Sequence, residues 1–269
     1  MHLIHSPIVF EPRDAPPAPA RPVRARPAFR PARGLLPWLA PAVFAGAAAR
    51  LWGLRGQIVL GDELHAVDSV VSWDLGTILT TYRVADHCIP LAAYDRLLVA
   101  AGLPLTELLL RLPLVLAGIA AIVLLPLAIA TMVERRLAIV FGWLVALAPG
   151  LICYSRIARP YAVVVLLGLG AAGCFWRFWE AVREGRGWSG WAGWAVAYAV
   201  SGAAAAWFHP GAGPFVAAPL VYAGVDLVLS RVRPRRGWLA LAGAAGLLGV
   251  LVAAFLLPAW ESFRRILGM

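Results

Sequence analysis

PLAAYDRLLVAAGL, Pro90 to Leu103, decides how this chain folds, because the direction of every later helix depends on whether this segment crosses a bilayer. It is apolar and helix-like but carries Asp95 and Arg96 at its centre. At about 14 residues it is also shorter than the roughly 20 that a helix needs to span the hydrocarbon. It therefore reads as a juxtamembrane or re-entrant helix on the outer side. The charge pattern downstream makes the same demand. Leu108 to Val133 is a long apolar run that ends at ERR (Glu134 to Arg136), which the positive-inside tendency places in the cytoplasm. From there Leu137 to Cys153 returns outward, and Tyr161 to Glu180 comes back to the basic stretch Arg183 to Arg186. Trp188 to Phe208 then goes out, Gly213 to Ser230 comes in to RVRPRR, and Trp238 to Pro258 goes out again. Upstream, Leu35 to Leu54 is the first stretch able to cross. A crossing by Pro90 to Leu103 would invert every one of the later loops.

The expectation is an all-α integral membrane fold, a bundle of about seven transmembrane helices over residues 35–269. Residues 56–107 form its first extracytoplasmic loop and contain juxtamembrane helices.

Composition excludes a soluble domain: 61% of the 269 residues are hydrophobic, only 14% are charged, and the mean hydropathy is +0.78. The formal charge of +10 comes from arginine alone, since the chain has no lysine. Those arginines cluster between apolar runs, so the basic balance is a topology signal and not a nucleic-acid surface. Residues 1–34, with PRDAPPAPARPVRARPAFRPAR, are too poor in apolar side chains to fold and read as a disordered cytoplasmic tail. MHLIHSPIVF lacks the charged start and long apolar core of a cleaved signal peptide. Cys88, Cys153 and Cys174 are too few and too scattered for a disulfide framework or a zinc site. A Cys88–Cys153 disulfide stays open only if their Cα atoms come within about 7 Å.

The polar residues gather from Gly61 to Leu91, which opens with GDELHAVD and closes with ADHCIPL. It collects Asp62, Glu63, His65, Asp68, Asp74, Arg83, Asp86 and His87. On a helix over residues 60–72, Leu60, Leu64, Val67 and Val71 form one stripe, opposite Asp62, His65, Ser69 and Ser72. Such a helix lies on the membrane surface with its stripe in lipid. Asp62 and Glu63, as neighbours, point about 100° apart, so one is a candidate base for an acceptor proton and the other is structural.

YSRIARPY (Tyr154 to Tyr161) places two arginines on the outer side, against the positive-inside tendency. Arg156 and Arg159 suit a clamp on a lipid-linked phosphate, or snorkelling to headgroups. His209, in WFHPGAGP, either bonds the same phosphate or caps a helix. Glu107 and Arg111 are expected to pair at helical spacing. Trp188, Trp191 and Trp194 read as an aromatic belt.

In this order, GDELHAVD, ADHCIPLAAY (Ala85 to Tyr94), TELLLRLP (Thr106 to Pro113) and YSRIARPY resemble the membrane glycosyltransferases of the GT-C superfamily. The nearest branch is the bacterial one of protein O-mannosyltransferases, aminoarabinose transferases and lipopolysaccharide galacturonosyltransferases. The likeness runs from about Leu35 to Ser230. It implies transfer of a sugar, with inversion, from a polyprenyl-phosphate-linked donor to a lipid, glycan or protein acceptor outside the bacterial plasma membrane. Asp62 would be the base or the acceptor-orienting carboxylate, with Glu63 as the second catalytic residue beside it. Arg156, Arg159, Tyr161 and His209 would hold the donor phosphate, and His65, Asp86 and His87 would support the site. A divalent metal is left open, and no other cofactor is implied.

The chain departs from the family pattern at HCIP, where HPPL is usual, and at SRIAR, where SREAR is usual. Relatives also tend to continue beyond Met269, so a compact, truncated or partner-dependent form is open. The rival readings are a non-catalytic scaffold and a lipid-linked sugar transporter. A transporter would carry ionisable residues at the centres of its spans, whereas here they gather at the edges.

Overall fold

In the computed structural model, which describes residues 34–59, 61–82, 88–130, 132–229 and 234–268, every regular element is a helix. The tail expected over 1–34 lies outside these residues apart from Gly34. So do Asp86 and His87, and in the helix that carries them the side chains of Asp62, His65 and Asp68 are likewise outside the described set.

The chain begins with α1 (Leu36–Leu51), makes a single 3-10 turn at Leu54–Gly56, and enters three short helices. These are α2 (Gly61–Ser72), α3 (Leu75–Thr80) and α4 (Ile89–Ala100). Asp74 caps α3 by accepting the Thr77 amide at 2.8 Å. The deciding segment is α4, and it stops because of Gly102. That residue has φ +70°, its amide donates to Val99 O, and the Leu103 amide donates to Leu98 O. This is the glycine-dependent pattern that satisfies the last carbonyls of a helix. Twelve residues give about 18 Å of helix, well short of a hydrocarbon core of about 30 Å. The helix is too short to cross, as expected.

The long helices follow: α5 (Glu107–Ile129), capped by the Thr106 hydroxyl, then α6 (Arg135–Leu147), α7 (Pro149–Ser155), α8 (Tyr161–Arg183), α9 (Trp188–Phe208), α10 (Gly213–Leu229) and α11 (Pro234–Leu256). A last short helix, α12 (Trp260–Leu267), ends the chain. By length and hydropathy four segments can cross a membrane, Glu107–Ile129, Tyr161–Arg183, Pro210–Leu229 and Arg235–Arg265, or five if the bent pair α6–α7 counts as one. Seven crossings were expected. α1 has only 16 residues, and α9 is long enough but rich in Ala, Gly and Trp, hence less apolar. The third span, expected to run unbroken from Leu137 to Cys153, is bent by 56° between α6 and α7. Pro149 is the cause, since it has no amide for the Val145 carbonyl.

The long helices bury two main cores. In one, Ala42 of α1, Ile122 of α5 and Ala146 of α6 meet. In the other, Phe178 of α8, Tyr198 of α9, Val216 of α10 and Leu248 of α11 pack together. Between them, Leu114 of α5 touches Ala162 and Val163 of α8, with Leu91 of α4 laid against the same contact. Trp191 corrects the belt reading: it is buried in the second core against Phe178, whereas Trp188 is 70% exposed. No disulfide joins the cysteines; Cys88 is buried and Cys153 exposed.

Arginines tie together the end of the bundle away from Arg111. Arg135 reaches Gly34 O at the start of α1 and lies over the Trp38 ring, 5.3 Å away. Arg236 at the start of α11 donates to Gly185 O and Arg186 O just past α8. These arginines sit at the ends of α5 and α8 opposite to Arg111 and Tyr161. The loop helices gather at the other end.

Candidate functional site

The site end is held by arginines bonded to distant parts of the chain. Arg111, in the second turn of α5, presents its guanidinium edge-on to Glu63, in the first turn of α2. Nε donates to Oε1 at 3.0 Å and Nη2 to Oε2 at 2.8 Å. Both side chains are buried, at 0% and 1% exposure. The remaining fork of Arg111 donates to Gln57 O at 2.8 Å and Ile58 O at 3.2 Å. One side chain therefore pins both the approach to α2 and α2 itself onto α5. The expected Glu107–Arg111 pair gives way to this arrangement: an α5 helical neighbour lies at the helix surface, while Glu63 lies where Arg111 points.

Glu63 also accepts the backbone amide of Ala158, at 2.5 Å, in the turn between α7 and α8. The carboxylate thus joins the GDEL loop to the YSRIAR segment. A second tie lies beside it. Gln57 Oε1 accepts Arg156 Nε at 3.2 Å, and Gln57 Nε2 donates to Arg156 O at 3.4 Å. Arg156 Nη1 continues to Ala49 O near the end of α1, at 3.4 Å. Arg156 and Arg159, the expected phosphate clamp, are not on a helix. Both belong to the turn that links α7 to α8, and Arg156 is turned back towards α1.

Beneath this turn lies Arg50, in the last turn of α1, with no exposure to solvent. Its Nε donates to Ser155 Oγ at 3.2 Å, Nη1 to Gly46 O and Ala146 O at 3.0 and 2.9 Å, and Nη2 to Val145 O at 3.0 Å. The hydroxyl of Ser155 passes its own proton to Leu151 O at 2.7 Å. Gly118 of α5 makes room for the pair: a Cβ there would collide with Ser155 Oγ and come within 2.9 Å of Arg50 Nε.

On the far side of the turn, the Tyr154 and Tyr161 rings lie 5.0 Å apart, and Tyr161 and His209 6.0 Å. His209 Nδ1 accepts the Gly211 amide at 2.9 Å, so the neutral ring carries its proton on Nε2. Helix-end capping, one of the two roles open to His209, is what this bond does.

α2 packs with Glu63 and Val70 inward, while Val71 of the expected lipid stripe is 69% exposed. α4 seats on it through Ala92, which meets Val70 and Ile78. Asp95, one turn further along, is buried and its Oδ1 makes no hydrogen bond among the described residues. Burial pushes its carboxyl up to about 7. Asp74, in contrast, is held below the usual carboxylate range by the Thr77 amide it accepts.

Of the residues expected in the site, the structure brings Glu63, Arg156, Tyr161 and His209 to one end of the bundle, with Arg159 in the same turn. Asp62 and His65 lie on α2, and their side chains, like Asp86 and His87, are outside the described residues. Among the described residues no three His, Cys, Asp or Glu side chains converge as metal ligands. Sequence reading missed Arg50, Gln57 and the Arg111 contact. For Arg50 a signal existed: like Arg156, it is an arginine near the expected outward end of an apolar run. No family model, no curated protein and no solved structure matches this chain.

Proposed function

We propose that this membrane protein is a glycosyltransferase that moves a sugar from a polyprenyl-phosphate-linked donor to an extracytoplasmic acceptor, with inversion. The observation that carries the reading is the bond between Glu63 and the Ala158 amide. It brings the carboxylate loop and the arginine turn, 95 residues apart, to one place, where an acceptor base and a phosphate holder would have to meet.

Glu63 has both oxygens engaged by Arg111, so it acts as a fastener. The reacting carboxylate falls to Asp62. In the proposed step the acceptor oxygen or nitrogen attacks the anomeric carbon from the face opposite the phosphate. Its proton passes to Asp62, and the anomeric C–O bond breaks with its electron pair leaving on the polyprenyl phosphate. Arg156, Arg159, Tyr161 and His209 bind that phosphate, and the guanidinium groups offset the charge it gains. Asp86, His87 and His65 are assigned the supporting role on the acceptor side, their side chains lying outside the described residues.

Two further features support the reading. Between α8 and α10, below Tyr161 and His209, lies an apolar groove of about 500 Å³ lined by Phe175, Trp176, Phe215, Pro219 and Tyr222 among others. It suits the tail of a lipid-linked donor. In addition, Arg135, Arg183, Arg186 and Arg236 lie at the opposite end of the bundle. The positive-inside tendency makes that end cytoplasmic and the site extracytoplasmic in a bacterial plasma membrane, with α1 and α9 completing seven crossings.

The test is incubation of the purified protein with polyprenyl-phosphate sugars, followed by mass spectrometry of lipid products and acceptors. Asp62→Asn is expected to abolish donor consumption at unchanged protein level. Undiminished turnover in that variant sinks the assignment.

A further inference from the structure

Arg50 and Arg111 are both fully buried, yet their charges are treated differently. Arg111 faces the Glu63 carboxylate. Every partner of Arg50 is neutral: one hydroxyl and three backbone carbonyls. Its hydrogen bonds are satisfied and its charge is not.

The carbonyls explain how the charge is tolerated. Val145 and Ala146 lie in the last turn of α6, where Pro149 and the bend of 56° remove the amides that would bond them in a continuous helix. Gly46 lies one turn before the last turn of α1. The C-terminal end of a helix carries about half a negative charge, which offsets a guanidinium only in part. Close by, Arg156 Nη1 bonds Ala49 O, next to Arg50 in the chain. Of the guanidiniums of Arg50, Arg111 and Arg156, only that of Arg111 has a carboxylate partner, Glu63, among the described residues, which leaves two positive charges without one. A buried charge interacts strongly and is weakly screened by salt. An excess of this kind favours an anion at the nearest open surface.

We propose that Arg50 is the fixed charge of a phosphate-binding site whose contact residue is Arg156. Arg50 makes the site select a phosphate-bearing lipid over the corresponding alcohol. Arg50 does not touch the ligand. It positions Ser155, and hence Arg156, and supplies potential from beneath. This inference rests on the donor-phosphate reading of Arg156 and deepens it.

The test measures binding of farnesyl phosphate, farnesol and inorganic phosphate to the full chain in detergent. The wild-type protein is expected to prefer farnesyl phosphate to farnesol, and inorganic phosphate is expected to compete weakly. Arg50→Gln keeps donors but removes the charge, and it should lower farnesyl phosphate affinity about tenfold or more while leaving farnesol unchanged. Arg50→Lys should keep the preference. A full wild-type preference in Arg50→Gln, or an equal loss in Arg50→Lys, overturns the proposal while leaving the donor-phosphate reading standing. No preference in the wild type overturns both.

A measurement on the unaltered protein guards against a variant that does not fold. If the buried charge carries the preference, the ratio of the two affinities should change little between roughly 50 mM and roughly 500 mM salt. Collapse of that ratio in high salt assigns it to exposed arginines and overturns the role of Arg50.

Discussion

Glu63 and Arg111 meet as a carboxylate and a guanidinium fork across 48 residues of chain, with both side chains shut off from solvent. Burying such a pair costs desolvation that the attraction only offsets, but removing one partner strands the other. Glu63→Met should therefore destabilise the protein by about 3–5 kcal/mol, and Arg111→Met by a similar amount. The double variant should recover most of that loss, because no charge is left unpaired. Thermal unfolding in detergent measures all three. Additive losses in the double variant would show that the pair is not a unit.

Gly46 and Gly243 make opposite predictions from the same substitution. A Cβ on Gly46 collides with Ile122 Cδ1 and comes within 3.2 Å of the Ala146 backbone, where α1, α5 and α6 meet. Gly46→Ala should cost about 1–3 kcal/mol, since backbone does not yield as a side chain does. Gly243, on the outer face of α11, has nothing within 4 Å of that position. Gly243→Ala should be neutral or stabilise by up to about 1 kcal/mol through helix propensity. Equal melting temperatures for the two variants would contradict the packing described.

Much of the helix layout was legible because it rests on local rules. The Thr106 and Asp74 caps, the Gly102 stop and the length of α4 all follow from residues within a turn or two. The bend at Pro149 was equally local, but the apolar run concealed it: hydropathy averages over a proline that removes one hydrogen bond. The site was legible only in its parts. Arg111 had a plausible partner four residues away, and helical spacing favours the near pair. The real partner is reached only through the fold, when α2 lies across α5. The position of Arg50 at the end of an apolar run was visible, but its partners, one hydroxyl and three backbone carbonyls, follow from no side-chain pattern.

Asp95 should make stability depend on pH. Its carboxyl is pushed from the usual 3.8 up to about 7 by burial, so between those values the folded chain holds a proton that the unfolded chain releases. Stability from this group is present below the lower value and is lost as pH rises through about 7. Asp95→Asn removes the titration. The variant should lose the decline between pH 4 and 7, at about 1.4 kcal/mol per unit of pKa difference at most. It should be more stable than wild type above pH 7. Parallel pH profiles for variant and wild type would show that the buried carboxyl is not the titrating group.

α12 packs against Tyr82, just past the end of α3. Ser262 Oγ accepts the Tyr82 amide at 2.6 Å, and the Phe263 ring meets Tyr82 edge-on at 5.3 Å. Ala259 is buried in the same cluster with Ile89 of α4. Ser262→Ala leaves a buried amide without its acceptor, a cost of about 1–3 kcal/mol. Because α12 is short and mostly exposed, the loss should appear as local opening and not as a lower global stability. Amide exchange at Tyr82 should accelerate by about tenfold or more, while exchange within α8 and α9 stays as in the wild type. Phe263→Ala should speed Tyr82 exchange too, by removing the ring that covers it. If Tyr82 exchanges at the wild-type rate in both variants, α12 does not hold Tyr82 in place.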